Sequence, residues 1–344
     1  MTTMTLSAFA DEISPDLATQ IRVLQANNIH HMELRGIGGQ SVSDFTLAQA
    51  ADYARQLAAA GIGVSSIGSP IGKIGITDSF APHLAKLDHT LTLARIFKAP
   101  YLRCFSFYVP AGAAEDYRPQ VLQRMRAMLE VAKAYPEVTL LHENEKGIYG
   151  DSPERCLDLV TTLANPQLRL AFDPANFVQC GASVYPEAFE LLAPHIAYVH
   201  IKDALTASGA VTPAGQGDGH VAAVLAALQK RGYAGFLSIE PHLSVFPGFR
   251  ELEARSTVRH PAPTGLAAVG AAPVANTEAA APARAAGTQE RPSRPAGAAT
   301  GVGTVGASSP RASGATRRGD GEVLFNIAAA ALRDLLCKLD QRWD

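Results

Sequence analysis

The stretch that decides the fold is Thr139-Leu140-Leu141-His142-Glu143-Asn144-Glu145-Lys146-Gly147, in which an apolar strand runs into two acids and a glycine turn. Three later apolar stretches end in the same way: 168–172 precede Asp173, 196–199 precede His200, and 235–239 precede Glu240. Parallel barrels carry their catalytic side chains at the carboxyl ends of the strands, so we expect these residues to meet at one rim. Glu, Asp, His and Glu together suit a hard or borderline divalent cation.

The rest of the chain repeats a strand followed by a helix. The predicted strands cover 6–10, 31–34, 64–67, 101–105, 139–143, 168–172, about 196–202 and 235–239. The predicted helices include 46–61, 80–97, 118–135, 153–163, 186–192 and 220–231, and a first helix with Ser14 as N-cap and Pro15 at its first position. Eight such units predict a (β/α)8 TIM barrel. The alternative is a doubly wound open sheet, which usually has a glycine-rich turn after strand one, whereas residues 11–15 contain no glycine.

One segment near the C-terminus breaks this pattern. Residues 256–321 are dominated by Ala, Gly, Pro, Ser, Thr and Arg and contain no aromatic residue, Ile, Met, Cys or Lys. Such a composition cannot bury enough apolar surface to order itself, and it predicts disorder. The predicted domains are therefore a barrel over 1–255, a disordered insertion over 256–321, and a C-terminal helix over 322–344 that completes the barrel. The predicted apolar stripe of that helix is Val323, Leu324, Ile327, Leu332 and Leu335.

Composition excludes several classes of partner. The 344 residues carry a formal net charge of -2, which argues against nucleic acid or an anionic membrane as partner. The first residues lack the basic and apolar regions of a signal peptide, and no apolar run approaches the length of a membrane span. The four cysteines are scattered without metal-type spacing, which is typical of a reduced, cytoplasmic protein.

With these residues in view, the chain resembles the xylose-isomerase-like barrel superfamily, the sugar phosphate isomerases and epimerases. The resemblance rests on a set of short motifs in this order: 9–12, 33–36, 69–73, 103–108, 143–145, 173–177, 200–203 and 240–242. It implies one divalent metal ion (Mn, Mg, Co or Zn) held by Glu143, Asp173, His200 and Glu240. Strand parity alone does not choose between Glu143 and Glu145. In this chain Glu145 and Asn176 stand where many members of the superfamily have histidines.

A second set of rim residues is predicted to bind substrate: Lys73, Arg103, Glu145, Asn176, Lys202 and His242. Three of them have a simpler alternative. Arg103 could pair with Glu143 or Glu145, Lys73 could be an exposed loop lysine, and His242 could instead fix Glu240.

Several neighbouring residues are left with two interpretations. Glu33 and Arg35 could pair with each other or support the site. Asp203 is interpreted as a residue behind the ligands, and His142 as a packed histidine. The glycine-rich run 215–219 could cradle a phosphate at a helix N-terminus, but a turn that leads into the helix and is capped by Asp218 is preferred.

The resemblance implies an isomerase or epimerase that acts on a ketose or a related hydroxy-carbonyl sugar through an enediolate. Glu143 and Glu240 would transfer the proton on opposite faces of the reacting carbon. A dehydratase of the inosose or dehydroshikimate type, and a sugar-binding barrel without catalysis, are the alternatives. A multi-zinc endonuclease is disfavoured because few of the ten histidines follow strands. The expected partner is a small sugar, and a homodimer is possible.

Overall fold

Eight parallel strands form the centre of the protein. The computed structural model describes residues 3–243 and 320–340, together with Trp343. The strands are β1 (Thr5–Ala8), β2 (His31–Leu34), β3 (Gly63–Ile71), β4 (Tyr101–Cys104), β5 (Thr139–Glu143), β6 (Leu168–Phe172), β7 (Ile196–Ile201) and β8 (Phe236–Ile239). They pair in the order β2-β3-β4-β5-β6-β7-β8-β1, and β1 and β2 lie side by side, so the barrel is nearly closed. This arrangement confirms the predicted (β/α)8 barrel and rules out the open doubly wound sheet.

Helices surround the barrel. They are α1 (Leu17–Ala26), α2 (Leu47–Ala59), α3 (Ala81–Phe97), α4 (Ala114–Ala132), α5 (Pro153–Leu163), α6 (Pro174–Gln179), α7 (Phe189–Leu192), α8 (Val221–Lys230) and α9 (Asp320–Lys338). Alternate strand residues such as Leu140 and Leu237 are fully buried. This is the pattern expected of strands that are covered by helices outside and by other strand residues inside. None of the described helices has the length and apolarity needed to cross a membrane.

The start of α1 differs from its prediction. The helix begins at Leu17 rather than at Pro15, and its N-cap is Asp16 instead of Ser14. The Asp16 carboxylate accepts hydrogen bonds from both the backbone amide and the hydroxyl of Thr19, at 2.8 and 2.7 Å. A carboxylate that accepts two such bonds is the stronger cap.

Three other boundaries also differ. Helix α4 begins at Ala114, four residues before the predicted start, and accommodates Pro119 within its first two turns. Strand β3 continues to Ile71 through a register irregularity, so most of the predicted loop 68–73 is extended. Helix α6 was not predicted; it begins directly after Asp173, whose carboxylate caps it by accepting a hydrogen bond from the Asn176 amide at 2.9 Å.

Helix α9 packs on the N-terminal part of the barrel. Its buried face consists of Phe325, Ala328, Ala329, Leu332 and Leu336. The predicted stripe was wrong in part, because Val323 and Ile327 are 59% and 45% exposed. Ala328, Ala329 and Phe325 lie on the buried face instead. The buried face of α9 is therefore rotated about the helix axis relative to the predicted stripe of large aliphatic residues.

The boundary of the predicted insertion also changes at this helix. Asp320 and Gly321, which the prediction assigned to the insertion, belong to α9. Residues 256–319, and with them the predicted disorder, lie outside the described residues.

The barrel interior contains a layer of hydrogen-bonded polar groups. The hydroxyls of Ser7 and Ser65 are 2.6 Å apart, and Ser65 also contacts the Tyr198 hydroxyl at 2.8 Å. The Tyr198 ring lies edge-on to the ring of His200, with centroids 5.8 Å apart. A hydrogen-bonded layer of buried groups therefore supports the residues at the strand ends from below.

Candidate metal centre

Four side chains from consecutive strand ends converge at the mouth of the barrel. Glu143 ends β5, Asp173 follows β6, His200 lies near the end of β7, and Glu240 follows β8. All four are buried, and one potential ligand atom from each lies within 4.8 Å of the others. From His200 Nδ1, the nearest carboxylate oxygens of Glu143, Asp173 and Glu240 lie at 3.1, 3.6 and 3.6 Å. The structure thus brings the four predicted ligands together.

Two asparagines fix the carboxylates of β5 and β6. The Asn144 side chain accepts a hydrogen bond from the Asp173 amide and donates one to the Asp173 carbonyl, both at 2.9 Å. Asn176 Nδ2 donates to Glu143 Oε1 at 3.1 Å. Asn176 therefore contacts a candidate ligand, and its predicted role in binding substrate stays a prediction. Asn144 thus fixes the backbone of Asp173, and Asn176 orients the Glu143 carboxylate.

The second nitrogen of His200 faces away from the cluster. His200 Nε2 lies 3.2 Å from Glu33 Oε2, and both groups are almost completely buried. Burial alone would lower the pKa of His200, but the Glu143 and Glu33 carboxylates raise it well above its ordinary value. His200 therefore directs Nδ1 toward the three carboxylates and Nε2 toward Glu33.

Two cationic side chains contact the candidate ligands. Lys202 Nζ lies 2.8 Å from both Asp173 Oδ2 and Glu240 Oε2, and Arg103 Nη1 lies 3.1 Å from Glu143 Oε2. Burial would raise the pKa of Glu240, but Lys202 and His242 hold it well below the ordinary value. Burial likewise opposes ionisation of Glu143, yet His200 and Arg103 leave its pKa lowered. Both carboxylates are therefore ionised at neutral pH.

The donor set fits a divalent cation. Glu143 Oε2 and Asp173 Oδ2 are buried and accept no hydrogen bond from any described residue, although the cations named above lie close to them. Three carboxylates and an imidazole suit Mg, Mn, Co or Zn. Burial is the main reason that the pKa of Asp173 is raised, because its charged form is removed from water. Glu143, Asp173, His200 and Glu240 could therefore hold one metal ion.

A second polar group lies beside Glu240. Arg35 donates to Asp11 at 2.7 and 3.1 Å, to Glu12 at 3.1 Å and to Glu240 at 3.3 Å. His242 Nε2 lies 3.2 Å from Glu240 and 3.4 Å from Glu12. Burial raises the pKa of Glu12 to about 8 and lowers that of His242 to about 4. This group holds Glu240 from the side opposite Lys202.

Lys73 and Glu145 form an ion pair on the rim. Lys73 Nζ lies 2.9 Å from Glu145 Oε2 and 4.4 Å from the centre of the Phe105 ring. Only about one eighth of each charged side chain is exposed. Burial opposes the charge of Glu145, but Lys73 and Lys146 hold its pKa well below the ordinary value. Lys73 is thus a paired rim residue rather than the exposed loop lysine of the alternative interpretation.

These contacts decide between the two interpretations of Glu33 and Arg35, and between those of Arg103. Glu33 and Arg35 do not pair with each other, because Glu33 points into the barrel toward His200 while Arg35 reaches Asp11. Arg103 contacts Glu143 as one interpretation held, and it also donates to the Gly68 carbonyl at 3.1 Å.

The packed interpretation of His142 holds. Its side chain is fully buried, and Nε2 contacts the Ser106 hydroxyl at 2.9 Å. It therefore faces away from the cluster that contains its neighbour Glu143.

The glycine-rich run 215–219 is held by a different carboxylate from the one predicted, Asp203 instead of Asp218. The amides of Gly215, Gly217 and Gly219 donate to the Asp203 carboxylate at 2.9, 3.0 and 2.8 Å. Asp218 instead accepts from the Thr206 amide and does not cap α8. The preferred interpretation, a turn capped by Asp218, was therefore wrong.

Sequence reasoning missed the role of Glu12. It touches Arg35 and His242, and it is 3% exposed. The signal was present, because β1 is followed by Asp11 and Glu12 just as β5 is followed by acids.

Comparisons with known proteins agree with this fold. A family model described as a xylose isomerase-like TIM barrel matches residues 21–260. No curated protein sequence matches the chain. Among solved structures, a D-tagatose 3-epimerase-like protein is 17% identical, with a TM-score of 0.57 over 69% of this chain and 90% of that chain.

Two further structures share the barrel. A probable 3-DHS dehydratase, AsbF from Bacillus anthracis, is 16% identical, with a TM-score of 0.57 over 74% of this chain and 96% of that chain. A xylose isomerase-like TIM barrel protein from Mycobacterium smegmatis, in complex with magnesium, is 17% identical, with a TM-score of 0.55 over the same shares. Identities at this level support a common fold.

Proposed function

Since the chain belongs to the family of xylose isomerase-like TIM barrels, we propose that it is a divalent-metal-dependent isomerase or epimerase of a ketose or related hydroxy-carbonyl sugar. The observation that carries the proposal is the buried convergence of Glu143, Asp173, His200 and Glu240 at the carboxyl ends of the strands. Lys202 and Arg103 offset part of the charge, but the buried oxygens Glu143 Oε2 and Asp173 Oδ2 accept no hydrogen bond from the described residues, which favours a metal ion over a purely structural cluster. The solved neighbours that include an epimerase-like protein and a magnesium complex support the same class.

The reaction moves a proton from a carbon next to a carbonyl group. Such a carbon is a very weak acid, because its conjugate base places negative charge on the substrate oxygens. A divalent ion held by the four residues would supply the positive charge that stabilises this enediolate. Ionised Glu143 ends β5 and ionised Glu240 follows β8, and either can accept a proton. One would remove the proton and the other would return one to the same or the neighbouring carbon.

The cationic residues would assist at the oxygens. Lys202 already spans Asp173 and Glu240, so its ammonium group is placed to donate to a substrate oxygen that becomes negative. Arg103 holds Glu143 in its ionised form, and His242 contacts Glu240. Lys73 and Glu145 offer a donor and an acceptor to the hydroxyl groups of a sugar at the rim.

The test is a screen of ketoses with the purified protein and added Mn2+, in deuterated water, followed by product analysis. We expect an isomer of the substrate with solvent deuterium on the reacting carbon. Glu143→Gln and Glu240→Gln keep an oxygen atom near the metal but lose the base, so turnover should fall by about 10²–10⁴-fold. Glu137→Gln is the matched control, since Glu137 pairs with Arg95 on the surface.

Three outcomes would contradict the proposal in different ways. A product that has lost water would make the protein a dehydratase on the same residues. Isomerisation without any solvent exchange would favour a hydride shift. Purified protein that binds no divalent ion and converts no sugar would favour a binding barrel.

A further inference from the structure

Asp203 is a fully buried carboxylate whose partners among the described residues are backbone amides. It lies two residues after the end of β7 and accepts four hydrogen bonds of 2.8–3.0 Å, from the amides of Ala204, Gly215, Gly217 and Gly219. Among the described residues it forms no ion pair, unlike the carboxylates of the metal centre. Four converging amides form a nest, a backbone arrangement that binds anions.

The glycines make this close approach possible. A Cβ atom at Gly217 would lie 2.5 Å from Asp203 Oδ1 and 2.6 Å from the Ala204 carbonyl oxygen, and one at Gly219 would lie 2.7 Å from Oδ1. Real Cβ atoms do not approach oxygen so closely, so side chains at these positions would expel the carboxylate. The run 215–219 is therefore built around an anion, and in this structure the anion belongs to the chain itself.

The nest lies in a loop that binds the substrate phosphate in other barrel enzymes. In barrel enzymes that act on phosphorylated substrates, the loops after strands seven and eight and a following helix frequently bind the phosphate. Residues 205–219 are the loop after β7, and α8 follows them. The nest also adjoins the metal centre, since Asp203 follows Lys202 and a Cβ at Gly219 would touch Pro174, the neighbour of Asp173.

Nearby lysines are also engaged. Lys73 Nζ and Lys146 Nζ lie 2.9 and 3.4 Å from the same Glu145 carboxylate, and Lys146 also donates to Gln179 at 2.7 Å. A phosphate at this part of the rim would have to displace Asp203 from its amides or Glu145 from its lysines. Both carboxylates would then be left buried or repelled by the incoming dianion.

We propose that Asp203 determines substrate specificity: its carboxylate fills the amide nest of the β7 loop in place of a phosphate, so the enzyme acts on uncharged sugars. This inference rests on the proposed sugar isomerase activity for its substrate part. Its structural part, that the nest binds an anion once Asp203 is removed, stands without any activity.

The first experiment measures anion binding and uses inorganic phosphate as the probe. Thermal unfolding is followed for the parent, Asp203→Ala and Asp203→Asn, with phosphate or with chloride at equal ionic strength. We expect no phosphate effect on the parent. Asp203→Ala should melt about 5 °C or more below the parent, because four backbone amides, two of them in fully buried hydrogen bonds, lose their acceptor. Phosphate, but not chloride, should restore several degrees.

Three variants make the result interpretable. Asp203→Asn fills the nest with a neutral group, so it should melt lower than the parent but gain nothing from phosphate. Asp203→Ser, which is small and keeps one acceptor, replaces the Ala variant if that variant does not fold. Asp218→Asn is the matched control in the same loop, because its carboxylate accepts only from Thr206. The proposed anion site is wrong if phosphate stabilises the parent as much as the variants. It is also wrong if phosphate stabilises neither Asp203→Ala nor Asp203→Ser.

The second experiment compares free ketoses with their phosphate esters under Mn2+. The parent should have a kcat/KM at least tenfold higher for the free sugar, and Asp203→Ala should shift this ratio toward the ester. A parent that prefers the phosphate ester refutes the specificity role. If neither sugar is converted, the proposed function has failed, while the phosphate titration still decides whether the nest is an anion site.

Discussion

Replacing Glu33 by leucine should weaken divalent-metal binding about 10- to 100-fold, although Glu33 is not one of the four candidate ligands. Glu33 is 1% exposed, and its Oε2 lies 3.2 Å from His200 Nε2. On the opposite edge of the ring, Nδ1 faces the carboxylates of the metal centre. A carboxylate behind a metal-binding histidine fixes the ring orientation and the nitrogen that carries the proton, and losing such a partner typically costs this much affinity.

The expected loss of metal affinity has one part that depends on the charge of Glu33 and one that depends on its position. A 10- to 100-fold loss corresponds to about 1.4–2.7 kcal/mol of binding free energy. Glu33→Gln keeps a side-chain oxygen near His200 Nε2 but removes its negative charge, and a neutral acceptor interacts about half as strongly as a charged one. We therefore expect Glu33→Gln to lose about half of that free energy, which is a decrease in affinity of about 3- to 10-fold.

The assay is titration of the metal-free protein with Mn2+, with free Mn2+ followed by electron paramagnetic resonance. Ser66→Ala is the matched control, because Ser66 lies opposite Glu33 in the β2–β3 register, is fully buried, and its hydroxyl makes no hydrogen bond with the described residues. Its metal affinity should equal that of the parent. Thermal midpoints of all variants check that each is folded.

A second readout tests the positioning itself. In 15N-histidine spectra of the Mg2+- or Zn2+-loaded parent, His200 should be protonated at Nε2 and not at Nδ1. Unchanged Mn2+ affinity in Glu33→Leu, or a proton on Nδ1 of the loaded parent, would refute the positioning role of Glu33.

Three further predictions concern stability. Burial lowers the pKa of His83 to about 4, and its Nε2 accepts a hydrogen bond from the Gly72 amide at 2.7 Å. Because the folded protein favours neutral His83, the stability that this residue contributes is complete above about pH 6.5. That stability is lost as the pH falls toward 4, by at most about 3 kcal/mol. Urea unfolding at pH 7 and 4.5 should show a smaller pH difference for His83→Gln than for the parent, and equal differences would contradict this. Lys73→Ala and Glu145→Ala should be non-additive, with a coupling energy of about 0.5–1.5 kcal/mol in a double-mutant cycle; strict additivity would mean that the ion pair contributes nothing. A chain that ends before residue 320 should show no cooperative thermal transition, because each large buried side chain of α9 contributes about 1.5–3 kcal/mol; a stable melt would show that this helix is dispensable.

The fold could be predicted because its signals are local. Each strand is a short apolar run, and the polar residue that follows it marks the rim, as Asp173 and Glu240 do. Parallel pairing then places consecutive strand ends side by side, so a linear row of residues becomes a cluster without further information. This is why the four candidate ligands could be selected from the sequence and its resemblance alone.

The partners of the rim residues could not be predicted in the same way. Arg35 contacts Asp11, 24 positions away, and Glu240, 205 positions away. Side-chain parity states which face a residue occupies but not which of several acids it reaches. Composition also misled the interpretation of β3, whose Gly68-Ser69-Pro70 segment has loop composition yet is extended. The Gly68 carbonyl oxygen accepts a hydrogen bond from Arg103.

Glu33 and Asp203 show how differently the fold can use two buried acids at strand ends. No described hydrogen bond reaches the carboxylate of Glu33, whereas Asp203 accepts four from the backbone. Replacing Glu33 therefore removes a contact with one imidazole and leaves every backbone hydrogen bond intact, so its effect should appear in metal affinity. Replacing Asp203 removes the centre of a loop, so its effect should appear first in stability and only then in substrate choice. The sequence presents both as single acids beside short strands, and only the three-dimensional contacts separate a residue that orients a ligand from one that occupies an anion site.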